Sequence, residues 1–226
     1  ACGEISDPVF MDLKNYDKYP HRAAFGWMSN NSVILENEED YSRLGEIANR
    51  VITNGEPGYL NRRNFKFGRI GDPNYVPDNA EGLNPCGEIP LEHREVCNIS
   101  ETFPTRCKDT QTWYAALKYA TVYMSSVSLL PTHQPTTIRV VAKNRRIGAS
   151  IADWVNWKAD QGLHKVIKYM RTGYNIVRST NNWTNDEAGI PRAIRVTTIK
   201  PGGTVPKLPG VVSGIGYPNF NYMLRR

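Results

Sequence analysis

The first change of hydrophobic period along the chain falls between residues 32 and 55. Ser32-Val33-Ile34-Leu35-Glu36 is an apolar run of strand length. Asn37 stands where an N-cap is needed, and Glu38, Glu39 and Asp40 fill the first turn, where carboxylates suit the positive end of a helix. Tyr41, Leu44, Ile47, Ala48, Val51 and Ile52 then recur at helical spacing as far as the stop signal Asn54-Gly55. Strand followed by helix is the first α/β signal. Residues 1–30 read as loop with a short helix near 8–18. A brief strand near 58–61 opens a long irregular connection over 56–83, which includes Phe65-Lys66-Phe67. Such a connection is uncommon unless it has a job.

Further on, residues 98–103 read as a short extended piece. Asp109 or Thr110 caps a long helix to about Leu129, with Trp113, Leu117, Ala120, Met124 and Val127 on one face and Pro131 beyond its end. Thr137 to Ala142 alternates β-branched and polar residues and predicts a strand. Ile151–Ala159 and Leu163–Ile176 predict helices separated near Gly162, and Ser179–Gly189 predicts a polar loop. Strands are expected at Ala193–Lys200 and Phe220–Leu224. Alternating strands and helices favour an α/β fold with a largely parallel sheet, as barrel or open sheet.

The chain has 226 residues, 40% apolar and 22% charged, which is the composition of a globular protein. No apolar run approaches the roughly 20 residues of a membrane span. The net charge of +6 suits an anionic ligand such as a nucleotide. No dense Lys/Arg run or zinc-finger spacing points to direct DNA binding. Lys143, Arg145 and Arg146 read as solvated charge, and Trp154 and Trp157 as core. Four cysteines, Cys2, Cys86, Cys97 and Cys107, are too few for a disulfide scaffold at this length, so a reducing, cytoplasmic setting is expected. The chain starts at Ala1 without methionine and stops directly after a strand-like run, which suggests a partial sequence.

The chemistry concentrates at Asn84-Pro85-Cys86-Gly87-Glu88-Ile89, with Cys97 eleven positions after Cys86. Proline and glycine alternate with a carboxamide, a thiol and a carboxylate. This is the composition of a shaped loop tip that presents side chains. Cys86 can act as a nucleophile or, after one-electron oxidation, as a hydrogen-atom abstractor. Glu88 can take a proton from a hydroxyl, Asn84 can fix a sugar hydroxyl, and Cys97 can serve as half of a dithiol. Two unpaired structural thiols are the plainer reading. A zinc site with His93 and Cys107 is disfavoured by the lack of a Cys-x-x-Cys pair, and no metal is called for. The second informative stretch is Pro201-Gly202-Gly203-Thr204, whose glycines let a ligand approach backbone N–H groups; a following helix N-terminus would favour phosphate. An ordinary strand-exit turn is the alternative.

These residues resemble the ribonucleotide reductases, and above all the monomeric, adenosylcobalamin-dependent (class II) ribonucleoside-triphosphate reductases. The resemblance rests on the Asn84–Ile89 tip, Glu95-Val96-Cys97-Asn98, Ser29-Asn30-Asn31-Ser32-Val33, Asn144-Arg145-Arg146-Ile147-Gly148, and the run from Thr197 through Val211 to Ile215. It implies a ten-stranded α/β barrel with a finger loop through its centre, residues 1–226 being an internal fragment of that single catalytic domain. Cys86 would form the thiyl radical that removes the ribose 3′-hydrogen. Glu88 would deprotonate the 3′-hydroxyl, Asn84 would bind the ribose, and Cys97 would be one of two thiols that become a disulfide. Pro201, Gly202, Gly203 and Thr204 would bind substrate phosphates. The implied cofactor is adenosylcobalamin, the substrate a ribonucleoside triphosphate and the reductant a thioredoxin-type protein.

Some expected parts are missing from this stretch. They are the first barrel strands, the partner of Cys97, the specificity region and a C-terminal cysteine pair. Cys2 is too near the tip in sequence to be that partner, and Cys107 matches no family position. Gly202 stands where relatives often carry serine. Alternatives are a reductase large subunit with a metal-containing radical partner, a nucleotide-binding or redox module without catalysis, and, least favoured, a glycyl-radical enzyme.

Overall fold

The computed structural model describes residues 1–65, 77–218 and 222. The chain divides into two compact units, Ala1–His93 and Arg94–Arg226.

The first unit holds a parallel sheet of β1 (Cys2–Glu4), β2 (Ser32–Leu35) and β3 (Gly58–Asn61), in that order. Cys2 pairs with Ser32, and Ser32 with Gly58. A short helix α1 (Pro8–Met11) follows β1, starting at Asp7, whose side chain accepts from the Val9 and Phe10 amides. The crossover from β2 to β3 carries the expected helix, broken into α2 (Glu38–Ser42) and α3 (Leu44–Asn54) at Arg43. Asn37 forms a capping box with Asp40: each side chain accepts from the other's backbone amide. Val33 and Leu35 of β2 meet Ile5, Met11 and Ile47 in a closed apolar cluster. After residue 77 comes a small antiparallel hairpin, β4 (Gly82–Leu83) with β5 (Pro90–Leu91). The Phe65-Lys66-Phe67 piece lies largely outside the described residues.

In the second unit β6 (Ile99–Thr102) pairs in parallel with β7 (Gly148–Ile151). The long helix α4 (Thr110–Val127) starts at Asp109, as expected, with Asp109 Oδ1 accepting from the Thr112 amide at 2.7 Å. It packs against α7 (Leu163–Glu187) around Trp113, Leu117 and Met124. Gly173 permits a close approach, since a Cβ there would stand 2.8 Å from the Trp113 ring. Trp157 joins this core and Trp154 packs at its edge, as expected of core residues. Trp113 Nε1 also donates to Thr102 Oγ1 at 3.1 Å, which ties α4 to the end of β6.

The structure corrects several sequence expectations. Thr137–Ala142 is helical, within α5 (Pro135–Asn144). Proline at its first position presets helical φ, and Thr137, Val140, Val141 and Asn144 turn inward at helical spacing. The helix expected from Ile151 starts only at Trp154, as α6 (Trp154–Gln161), because Ile151 ends β7 and Asp153 takes φ of 64°. Ser179–Gly189 is not a loop; α7 continues to Glu187. Two of its polar residues, Asn181 and Asn185, are buried and hydrogen-bonded: Asn181 Nδ2 donates to Ser125 Oγ at 3.0 Å and its Oδ1 accepts from the Ala193 amide at 3.0 Å. Asn185 Nδ2 donates to the Pro191 carbonyl at 2.8 Å.

Ala193–Lys200 runs beside β7 but makes only one bridge, Ala149 with Thr197. At its end the Lys200 amide bonds to Ser150 Oγ, a side chain, at 2.9 Å, and the ladder stops. The strand expected at 220–224 falls outside the described residues apart from Tyr222. Arg145 and Arg146 are not solvated charge. Arg146 is paired with Glu95 at 3.1 Å, their side chains 3% and 1% exposed. Arg145 takes the left-handed C-cap of α5, donates to the Ser128 carbonyl at 2.6 Å, and has its pKa lowered by burial. No helix among the described residues is long and apolar enough to cross a membrane.

Candidate functional site

Asn84, Cys86 and Glu88 stand together on the loop that joins β4 to β5. The loop closes on itself. The Asn84 amide donates to the Ile89 carbonyl at 3.1 Å, and the Ile89 amide donates back to Asn84 Oδ1 at 3.0 Å. Above this base the Gly87 amide donates to the Asn84 carbonyl at 2.9 Å. Residues 84–87 are thus a β-turn with Pro85 at its second position, where the fixed φ of proline fits, and Cys86 at its third. Gly87 takes φ of 81°, a conformation L-residues with side chains rarely adopt. The result is an exposed thiol at the apex, a half-buried Glu88 and a buried Asn84.

The apex borders an open cavity of about 610 Å³. Its opposite wall is made by the starts of the three parallel strands, Cys2, Ser32 and Gly58, and by Ser29, Asn30 and Asn31 before β2. Asn30 Nδ2 donates to the Pro85 carbonyl at 2.7 Å. Asn31 is buried, and Glu56 Oε2 accepts from its amide at 3.2 Å and its Nδ2 at 2.9 Å. Ser29–Val33 carried part of the family resemblance, but local sequence assigned none of these residues a role. The signal that marks them is a run of asparagines directly before a strand.

Cys97 belongs to the second unit and is exposed. Its neighbours are anchored. Glu95 holds Arg146 and accepts from Asn144 Nδ2 at 3.1 Å, while Asn98 Nδ2 donates to the Met124 carbonyl at 2.9 Å. Cys107 is different in kind. It packs against the apolar core, and burial, assisted by Asp109, raises its thiol pKa, so it is a poor thiolate.

Pro201, Gly202, Gly203 and Thr204 form a bend in the second unit. Gly203 and Thr204 are exposed and Gly202 is buried with φ of 62°. The bend leads into a single 3-10 turn, Val205–Lys207, and not into the helix N-terminus expected from the sequence. One turn aligns too few peptide dipoles to attract phosphate in that way. The backbone amides of the bend are the remaining attraction for an anion.

No family model matches the chain. Its whole length aligns with curated reductases. It is 36% identical over 228 positions to the adenosylcobalamin-dependent ribonucleoside-triphosphate reductase of Euglena gracilis, covering 31% of that protein. It is 37% identical to the probable enzyme of Dictyostelium discoideum and 32% identical to that of Lactobacillus acidophilus, covering 30% and 34% of them. Among solved structures, a B-12 dependent (class II) ribonucleotide reductase superposes with a TM-score of 0.82 at 29% identity, over 95% of this chain and 33% of the other. By sequence and by fold, the chain is homologous to the class II ribonucleotide reductases. The resemblance read from the tip and its companion motifs therefore holds. The α subunit of the Actinobacillus ureae class Id ribonucleotide reductase shares the fold, with a TM-score of 0.61 at 16% identity over 82% of this chain and 42% of the other. The chain spans about a third of the length of the curated reductases it matches.

Proposed function

We propose that this chain is the central part of the catalytic domain of a protein that reduces ribonucleoside triphosphates to 2′-deoxyribonucleotides by thiyl-radical chemistry. The observation that carries the proposal is the Cys86 thiol. It is exposed at the apex of a hydrogen-bonded turn and borders an open cavity. In the full protein the fold would be the ten-stranded α/β barrel of the family, with this turn as its finger loop and residues 1–226 within one catalytic domain.

Cys86, as thiyl radical, takes the 3′-hydrogen atom of the ribose. Glu88, two residues along and half-buried, accepts the proton of the 3′-hydroxyl. Asn84 orients the ribose from the base of the turn. The 2′-hydroxyl leaves as water, and two electrons come from Cys97 and a second thiol outside residues 1–226, which end as a disulfide. The 3′-hydrogen then returns from Cys86. Nucleotide plus dithiol thus becomes deoxynucleotide, disulfide and water. A thioredoxin-type protein resets the disulfide. The amides of Gly202, Gly203 and Thr204 hold the phosphates, and Pro201, which has no N–H, sets the path of the backbone that presents them.

When bound, adenosylcobalamin would be the source of the radical at this site. The residues present fit such a group in one respect: the thiol it must reach is uncovered and borders a cavity. The reading includes a cytoplasmic monomer that does not bind DNA directly. Higher identity to the class II structure than to the class Id subunit favours cobalamin over a metal-containing radical partner.

The test is ribonucleotide reduction by the full-length protein, with and without adenosylcobalamin, beside a Cys86→Ser variant. Cofactor-dependent turnover that vanishes in the variant is expected. Turnover without cobalamin would move the radical source to a partner subunit. Turnover that survives Cys86→Ser would end the fingertip assignment.

A further inference from the structure

The bonds inside the tip fix its shape but not its direction. All three close within residues 84–89, and the ladder beneath, Gly82 with Leu91 and Leu83 with Pro90, is two pairs long. A hairpin of that size has little stability of its own. Its direction must come from contacts outside it. Asn30 makes one such contact across 55 positions of sequence, donating to the Pro85 carbonyl at 2.7 Å. That carbonyl and the Cys86 nitrogen belong to one planar peptide unit, so orienting the oxygen orients the backbone that carries the thiol.

The donor is on firm ground. Lys14 Nζ donates to the Ser29 carbonyl at 2.6 Å and the Gly26 carbonyl at 2.7 Å. Asn31, on the other side, is buried against Glu56, and Ser32 opens the central strand. Asn30 is thus flanked by two fixed residues while its own side chain reaches to the tip.

We propose that Asn30 is a positioning residue for the Cys86 thiol, tethering the fingertip to the start of β2. The proposal rests on the hydrogen-atom transfer assigned to Cys86 above. It makes Asn30 neither a ligand of substrate nor a reacting group. Hydrogen-atom transfer needs the sulfur close to a single C–H bond, and a displacement of about 1 Å costs on the order of a hundredfold in rate.

The test compares full-length wild type, Asn30→Ala, Asn30→Asp and Cys86→Ser. Asn30→Asp keeps the shape of the side chain but replaces the donor with an oxygen facing the Pro85 carbonyl, so it separates loss of the bond from loss of packing. For both Asn30 variants kcat falls about tenfold or more while KM for the nucleotide stays within about twofold. In cofactor-free protein, Cys86 is alkylated by iodoacetamide about threefold faster or more, with Cys97 on the same chain as internal reference. Unchanged kcat and unchanged Cys86 alkylation in a folded Asn30→Asp protein overturn the proposal. A rise in KM with kcat unchanged also overturns it, since that is the mark of a substrate contact. Full turnover by Cys86→Ser removes the catalytic reading instead, and the alkylation rates still decide whether the tether exists.

Discussion

Glu101 occupies the space that a side chain at Gly202 would need. A Cβ at position 202 would collide with Glu101 Oε1, and the other carboxylate oxygen is 3.2 Å from Lys200 Nζ. Glycine is therefore favoured here twice over, by this contact and by its φ of 62°. Gly202→Ser is expected to destabilise the full-length protein by about 2 kcal/mol or more. Shortening the neighbour relieves part of this. The double variant Gly202→Ser/Glu101→Ala should be more stable than the sum of its single changes by about 1 kcal/mol in a denaturant-unfolding cycle. Strict additivity would mean that the carboxylate is not what excludes the side chain.

Asn181 joins three segments that are far apart in sequence. It reaches Ser125 on α4 and the Ala193 amide beyond the end of α7. Asn181→Ala leaves that amide buried without its acceptor and should cost about 1–3 kcal/mol in urea unfolding. Asn181→Leu should cost at least as much, because added apolar volume does not restore the lost acceptor. A change below about 0.5 kcal/mol in both variants would show that water replaces the carboxamide there.

The Glu95–Arg146 pair is nearly closed to solvent, and Glu95 lies two residues before Cys97. Arg146→Leu leaves a buried carboxylate without its cation and should destabilise the second unit by about 3–5 kcal/mol. Because Glu95 also holds Asn144, the variant should loosen the Cys97 segment as well. Faster alkylation of Cys97 with Cys86 unchanged is the accompanying readout. Unchanged stability would mean that this ion pair is not what holds the segment.

Asp12 accepts from Lys18 Nζ at 2.7 Å and from Arg50 Nε at 2.8 Å. The Lys18 bond first, and then the Arg50 bond, holds its carboxyl below the ordinary carboxylate range. A folded-state pKa below the unfolded one gives stability that is present above the unfolded value and is lost as pH falls through the folded value. Wild type and Asp12→Asn should therefore differ by up to about 1 kcal/mol at neutral pH and converge in acid, below the usual range for aspartate. A difference that persists undiminished into acid would rule out the charge as its source.

The legible part of the sequence was local. The N-cap at Asn37, the cap at Asp109, the break at Gly162 and the strand at 58–61 each depend on residues within one turn of each other, and each stands where expected. The turn at the tip was legible for the same reason. The expectations that failed depended on distant partners. Residues 179–189 look like loop because polar side chains usually face water, yet Asn181 and Asn185 face α4 and the segment before residue 193. Arg146 looks like surface until Glu95, 51 positions earlier, is seen against it. Thr137–Ala142 misled by composition, since β-branched residues at helical spacing also satisfy a strand pattern. The tether from Asn30 to Pro85 left no mark in local composition.

The tip has a division of labour that bears on how such a centre is assembled. Its curvature is written in six consecutive residues and can form as soon as they leave the ribosome, like any short turn. Its aim depends on residue 30, which is synthesised earlier and waits in place at the head of a strand. The Cys86 thiol thus gets its form locally and its bearing only when the sheet has closed. Until then it is an ordinary cysteine on an ordinary loop.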